Sequence, residues 1–395
     1  MIDVRRSFRF LAFILAVAVG NAVAHLCTSA MPLQVGALIE GFGLSATAAG
    51  LVSFFQVGAL AFGMIVVAPV CHRYPPAGVC FAGLALAATA SVALFLAPPF
   101  LPLLCLLGAS SGFGYCLMLT ATVAAPAGWP QPDRVYAASS SGGLLILVVL
   151  LTLLPLATAR VGPRGVFLGI ALLFALCTPL LWGFRYARRE EQVATRESAA
   201  VAGGAPLIAM WALVSLGAGA MWTFAERIGH ALALPGPVIG TVLSVGVFLS
   251  LIGSGLAAVV GGWLDRRVAI AIGLFGTGAS CLLLALATGL WTYAAAVALY
   301  WIFTIFFYVL MLGTAAAIDP SGRLATLGTG CERLAFAVGA PLGGLFVDLG
   351  SFLWIALMAV LTCSILAPLF LPGLGRAVAS ARLREPGDAV LAPVP

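Results

Sequence analysis

The chain has 395 residues, 63% of them hydrophobic and only 8% charged, and carries a formal net charge of +6. A soluble globule, in which roughly a quarter of residues are charged, is excluded. So are a P-loop ATPase and a retinal or pyridoxal Schiff base, which both need a Lys, because all nineteen basic residues are Arg.

The apolar runs repeatedly reach about 20 residues, the length a helix needs to cross the hydrocarbon of a bilayer. The ten-residue alternation of barrel strands does not occur. The chain therefore reads as a polytopic helical membrane protein, and its positive charge reports topology rather than a nucleic-acid partner. The nine Cys are single and scattered, mostly inside apolar runs, with no Cys-x-x-Cys. They read as small hydrophobes, not as a disulfide framework or a zinc site. No cofactor and no bound metal are expected.

In chain order, Arg5, Arg6 and Arg9 precede an apolar run from Phe10 to Gly20, and Ala22-Val23-Ala24 resembles a signal cleavage site. Cleavage would leave an odd span count, so the segment reads as an uncleaved first span. Breaks at Pro, Gly and charge clusters delimit twelve spans. In the first half these are 8–33, 45–70, 77–97, 100–125, 135–157 and 163–185. In the second half they are 206–230, 236–262, 268–288, 291–317, 324–348 and 350–372. Between the halves lies a polar break in which seven charges, four Arg and three Glu, fall between Arg185 and Glu197. Burying so many charges is prohibitive, so this stretch lies in water. The expected organisation is a first six-helix bundle over 1–185, a central loop over 186–205, a second bundle over 206–372 and a tail over 373–395.

Arg placement sets the orientation. With the N-terminus inside, fifteen Arg lie on the cytoplasmic side and only Arg160 and Arg164 outside, a strong positive-inside bias. Both termini are expected to be cytoplasmic, in a multi-pass protein of the inner (cytoplasmic) membrane. The halves align at a shift of about 190 residues: Leu44 to Gly50 answers Leu234 to Gly240, and Pro132-Asp133-Arg134 answers Asp319 to Arg323. Six spans per half keep both copies in one orientation, as in duplicated transporters.

The loop Gly261-Gly262-Trp263-Leu264-Asp265-Arg266-Arg267 resembles the Gly-x-x-x-Asp-Arg motif of the major facilitator superfamily, at the place where that family carries it. The resemblance covers essentially the whole chain and implies a bacterial-type, twelve-span all-α fold of two six-helix bundles related by a pseudo-twofold. It implies a gating loop built on Gly261, Asp265 and Arg266, with Arg73 at the first-half equivalent, Pro69 to Tyr74, which has no acid. The fourth span lacks the buried Arg of the family's proton-coupled drug exporters. The fifth lacks their Gly-Pro signature, although a similar Gly339-Ala340-Pro341-Leu342-Gly343-Gly344 occurs in the eleventh. In this family the first, fourth, seventh and tenth spans line a central cavity. That places His25, Glu226 and the cluster Tyr300, Trp301, Phe306, Phe307 and Tyr308 around it, although the aromatic residues also read as lipid-facing core filler.

Ionisable groups within hydrocarbon are functional candidates by default. They are His25 with Asn21 one turn away, Glu226, Arg227 and His230 in the seventh span, and Glu332 with Arg333 in the eleventh. The expected function is secondary transport of a small organic solute by alternating access, by a monomer and coupled to protons. Glu226 with His25 or His230 would be the proton-sensitive element, and Arg227 or Arg333 would hold an anionic group. The alternatives are a metal-ion importer of the same fold, for which His25-x-Cys27 and Glu226-x-x-x-His230 supply ligand types, and a facilitator without ion coupling. An enzyme is not expected, since neither His-Glu-x-x-His nor Gly-x-Ser-x-Gly occurs.

Overall fold

The computed structural model describes residues 4–66, 74–128, 132–187, 204–260, 264–319 and 323–374. Among these, eleven helices are long and apolar enough to cross a membrane. A bent pair, Gly165–Cys177 and Leu180–Tyr186, makes the twelfth span, with an angle of 48° between its parts. The described residues contain no strand. Large apolar side chains such as Phe62, Leu106 and Leu176 face outward, as lipid contact requires.

The first span continues well beyond the expected end at residue 33. The helix Val4–Ser29 (α1) breaks at Ala30, just before Pro32, and resumes as Met31–Phe42 (α2). Gln34 and Glu40 do not end it, because each finds a partner: Gln56 of the second span donates from Nε2 to Gln34 Oε1 at 3.0 Å, and Glu40 pairs with Arg227. The second to sixth spans are Ala46–Val66 (α3), Pro76–Leu96 (α4), Leu101–Ala124 (α5), Pro132–Val161 (α6) and the bent pair headed by Gly165–Cys177 (α7). The seventh is broken at Phe224, between Ala205–Thr223 (α8) and Ala225–Ala231 (α9). The eighth to twelfth are Gly236–Val260 (α10), Arg266–Ala285 (α11), Leu290–Ile318 (α12), Arg323–Asp348 (α13) and Phe352–Val360 (α14), the last running on through a π turn at Leu361–Leu366. The central loop from 188 to 203, the tail from 375, Gly261 and Arg73 lie outside the described residues.

The packing repeats between the halves. The third span lies on the fourth as the ninth lies on the tenth, the second on the fourth as the eighth on the tenth, and the first on the fifth as the seventh on the eleventh. The halves meet chiefly where the second span packs on the eleventh and the fifth on the eighth. A pseudo-twofold exchanging the halves maps one of these contacts onto the other.

Both contacts are tightest near the face opposite the termini, here called the far face. Gly50 lies against the backbone of Ala340 and Pro341, where an added Cβ would meet Pro341 Cα at 2.8 Å. Gly240 lies against the ring of Pro155, where an added Cβ would meet Pro155 Cγ. Pro155 and Pro341 are both internal to their helices. Each bends its helix by removing one ladder hydrogen bond, and each bend rests on a glycine of the other half. The two glycines are those that the internal repeat aligns.

A polar clasp adds to the second crossing. Asp348, at the end of the eleventh span, accepts from the backbone N–H of Ala46 and of Thr47 at 2.9 Å each, and from Thr47 Oγ1 at 2.6 Å. It thus caps the second span from the opposite half, where the unpaired N–H groups of a helix start favour an anion. Replacing Asp348→Ala should cost the closed far face about 1 kcal/mol, roughly fivefold in its population. A thiol introduced by Thr158→Cys, beside this face, should then react correspondingly faster with a membrane-impermeant reagent; an unchanged rate would show that the clasp does not hold the face shut.

Candidate functional site

A cavity of about 200 Å³ lies between the halves at mid-depth. The seventh span forms one wall with Trp211, Ser215, Ala218 and Trp222, which recur at i, i+4, i+7 and i+11 and so share one helix face. The tenth span is bolted to it by two hydroxyls: Tyr300 donates to Ala218 O at 2.9 Å, and Tyr293 to Ala225 O at 3.0 Å, next to the break at Phe224. Trp222 Nε1 donates to Thr28 O of the first span at 3.0 Å, which ties the halves together at the cavity wall.

The aromatic rings form two sets. Trp222 stacks on Tyr300 with centroids 5.6 Å apart and planes 12° from parallel, and Trp301 meets both edge-on at 4.9 and 5.9 Å. Trp211 and Tyr308 pair edge-to-face at 5.3 Å. All five rings line the cavity. Phe307 joins them, while Phe306 is buried beside them.

The charged members come from the eleventh span. Glu332 is buried; Ser215 Oγ donates to its Oε1 at 3.3 Å, and its Oε2 lies 3.3 Å from Arg333 Nε. Oε2 makes no hydrogen bond. Arg333 lines the cavity and contacts Glu332 through Nε. Opposite, His25 Nδ1 lies 2.9 Å from Asn21 O. Donation to that carbonyl fixes the proton on Nδ1 and leaves Nε2 as the second ring nitrogen.

The cavity adjoins a vestibule of about 390 Å³ that shares His25, Leu144, Leu147, Ser250 and Ile305 with it. Asn21, Ser140, Ser141 and Ser254 extend this vestibule toward the termini face. A separate pocket of about 250 Å³ lies near the far face. There Glu226 Oε1 and His230 Nε2 are 2.9 Å apart, and Arg227 pairs with Glu40 across the halves. The Glu226 carboxylate rests on Gly36 of the first span, where an added Cβ would meet Glu226 Cδ at 2.6 Å, and its Oε2 is buried without a partner.

The structure therefore brings His25, Tyr300, Trp301, Glu332 and Arg333 together and places Asn21 in the vestibule. Glu226 and His230 line the far pocket, Arg227 pairs with Glu40 of its lining, and none of the three is among the residues lining the central cavity. The expectation that the fourth span lines the cavity is corrected: the fifth, eighth and eleventh spans contribute, and no fourth-span residue lines it. The fourth span instead packs Gly108 and Gly112 against Val52 and Gln56 of the second, and Gly114 against Gly83 and Ala87 of the third. Asp265 caps the ninth span by accepting from Arg267 N at 2.8 Å, and Arg266 follows it at the termini face. Trp211, Ser215 and Trp222 were missed as site residues, although their spacing along one face of the uncharged first part of the seventh span was readable.

Twelve spans in two pseudo-symmetric halves around a central cavity define a duplicated, multi-pass membrane protein of the solute-carrier type. The Major Facilitator Superfamily profile matches residues 17–321, and the chain belongs to that family. No curated protein matches the sequence. Among solved structures, the nucleoside transporter NupG aligns at TM-score 0.66 and 12% identity, over 94% of this chain and 99% of its own. A D-xylose–proton symporter aligns at TM-score 0.67 and 14% identity, over 91% and 97%. A bacterial homologue of the human lysosomal transporter Spinster, inward-facing and unoccupied, aligns at TM-score 0.64 and 14% identity, over 97% of each. At these identities the likeness is one of fold.

Among the described residues His25 makes one hydrogen bond, to Asn21 O within its own helix, so losing it should cost little stability, ~0.6 kcal/mol on average in membranes. A solute group left unpaired costs more. His25→Ala should therefore raise the apparent transport constant about tenfold with a nearly unchanged melting temperature. A variant that melts early but binds the solute normally would make His25 a packing residue.

Proposed function

We propose that the chain is a secondary transporter that moves a small organic solute by alternating access, with the central cavity as its solute site and with proton coupling. The observation that carries this reading is the asymmetry of the cavity. It continues into a vestibule toward the termini face, while the far face is crossed by the Gly50–Pro341 and Gly240–Pro155 contacts and the Asp348 clasp. The Arg bias makes the termini face cytoplasmic, so this state is the inward-facing one. Rocking of the two bundles about the cavity would open the far face in turn.

The fold accommodates proton-coupled solute transport, as the D-xylose–proton symporter among its solved neighbours illustrates. Here Glu332 is the one acid among the described residues lining the solute cavity. Glu226 sits at the far-face contact with Gly36, where it would sense opening rather than solute. Asp265, as cap of the ninth span, would steady the cytoplasmic end of the second bundle. The metal-ion alternative has weaker support, since the described residues contain no group of three or more His, Cys, Asp or Glu able to hold an ion.

The test is transport by reconstituted protein across an imposed pH gradient. Glu332→Gln should abolish accumulation while retaining counterflow exchange, which needs no net proton movement. Glu226→Gln should still accumulate solute, at an altered turnover. The reverse result would move coupling to the far pocket, and absence of counterflow for every solute that binds would remove the transporter reading itself.

A further inference from the structure

The site proposed for the solute has a composition that restricts its chemistry. Three of the chain's eight tryptophans, Trp211, Trp222 and Trp301, line this one cavity, with Tyr300 and Tyr308 beside them. At about 200 Å³ it is below the usual 300–1,000 Å³ range of ligand pockets, which suits a solute of a single ring. Aromatic walls favour a planar ring, which gains stacked and edge-to-face contacts.

The charges restrict it further. Among the described residues Arg333 is the only formal cation lining the cavity, and it contacts Glu332 through Nε alone. A guanidinium has five N–H donors in a planar fork that matches a carboxylate. Its terminal nitrogens make no hydrogen bond among the described residues, and the side chain is 20% accessible. The empty cavity is neutral, with Arg333 against Glu332. Adding an anion would leave one uncompensated negative charge in a low-dielectric site, which is costly. Glu332 can remove it by taking a proton, because its buried Oε2 makes no hydrogen bond.

We propose that the central cavity takes a single-ring aromatic monocarboxylate together with one proton, by exchange of the Arg333 ion-pair partner. The solute carboxylate replaces Glu332 on Arg333, and the proton entering with it converts the Glu332 carboxylate to the acid. Before loading the site holds Arg⁺ and Glu⁻; afterwards it holds Arg⁺, solute⁻ and neutral Glu. Charge is balanced in both states, and release reverses the exchange. No covalent bond to the solute changes.

The surrounding groups leave this exchange to Glu332. Tyr300 and Tyr308 face the pair from the tenth span, His25 and Cys27 from the first, and Ser215 from the seventh. The second span, packed along the eleventh, has no charged residue or His between Ala46 and Val66, and the twelfth has none between Phe352 and Leu374. Glu226 belongs to the far pocket.

This inference rests on the central cavity being the solute site, and its test is binding rather than transport. Full-length protein in lipid nanodiscs is titrated calorimetrically with 3,4-dihydroxybenzoate in buffers of different ionisation enthalpy, and in parallel with the neutral 3,4-dihydroxybenzamide. The acid should bind at least tenfold more tightly than the amide and take up about one proton per molecule. Glu332→Gln should bind the acid with no proton uptake, and Arg333→Gln should lose the preference for acid over amide. Arg333→Lys keeps the charge but loses the fork, and should fall between wild type and Arg333→Gln. The comparison of acid with amide on the unmodified protein needs no variant, so a misfolded Arg333→Gln leaves it decisive. A preference below tenfold, no acid binding, no proton uptake, or proton uptake that survives Glu332→Gln would each overturn the inference. Any of these alongside gradient-driven transport of another solute removes the substrate class and leaves the transporter reading standing.

Discussion

The state of this molecule depends on two crossings at the far face, where a proline-bent helix of one half rests on a glycine of the other. Gly50 receives the bend at Pro341, and Gly240 receives the bend at Pro155. Lipid tails are as apolar as leucine, so no hydrophobic force drives the halves together within the bilayer. Close backbone approach and its dispersion contacts must supply the attraction, and small residues at the crossing permit it. With the helices this near, secondary contacts become possible: the Asp348 cap on Ala46 and Thr47, the Arg227–Glu40 pair and the Trp222 hydrogen bond to Thr28. Each joins one half to the other, and each lies at or above the central cavity on the far side. The vestibule toward the termini is what remains open.

The cavity works against the opposite constraint. A membrane interior tolerates charge only when it is paired, and here the pair consists of neighbours on one helix, Glu332 and Arg333. Neighbouring residues point in different directions on a helix, and their contact is made through Nε, at the edge of the guanidinium, while Arg333 also lines the cavity. A partner from another helix would have tied the two elements together permanently. An adjacent one leaves the eleventh span, which also carries Pro341 and Asp348, able to respond to what occupies the cavity.

Much of the fold was legible in the sequence because span length and Arg placement obey strong physical limits. Most span boundaries fall within a few residues of those expected, and the aligned positions Gly50 and Gly240 prove to be the two crossing points. The deviations occur where polar groups find partners that the sequence does not show. The first span was expected to end at residue 33, yet Gln56 and Arg227 satisfy Gln34 and Glu40 beyond that point and the helix runs on to Phe42. The break at Phe224 carries no Pro or Gly to announce it, and it decides that Glu226 belongs to the far pocket. Which face of each span meets the cavity was hardest to read, because lipid-facing and core-facing surfaces are equally apolar. Tyr300 and Trp301 therefore read more as filler than as cavity wall, and the part played by the fifth and eighth spans stayed hidden, whereas the charges of the eleventh, Glu332 and Arg333, were already candidates.

The central claim is that the Gly–Pro crossings shut the far face and are coupled to opening at the termini face. It is tested most directly by electron spin resonance distances between paired labels, one pair per face. Phe100 and Thr288 are exposed at the far face in opposite halves, and Tyr74 and Leu264 at the termini face. The account predicts a short far-face and a long termini-face distance in the unmodified protein. In Gly240→Val, where the added side chain meets Pro155, the far-face distance should lengthen while the termini-face distance shortens. Lengthening at the far face with no change at the other, or no change at either, would contradict it.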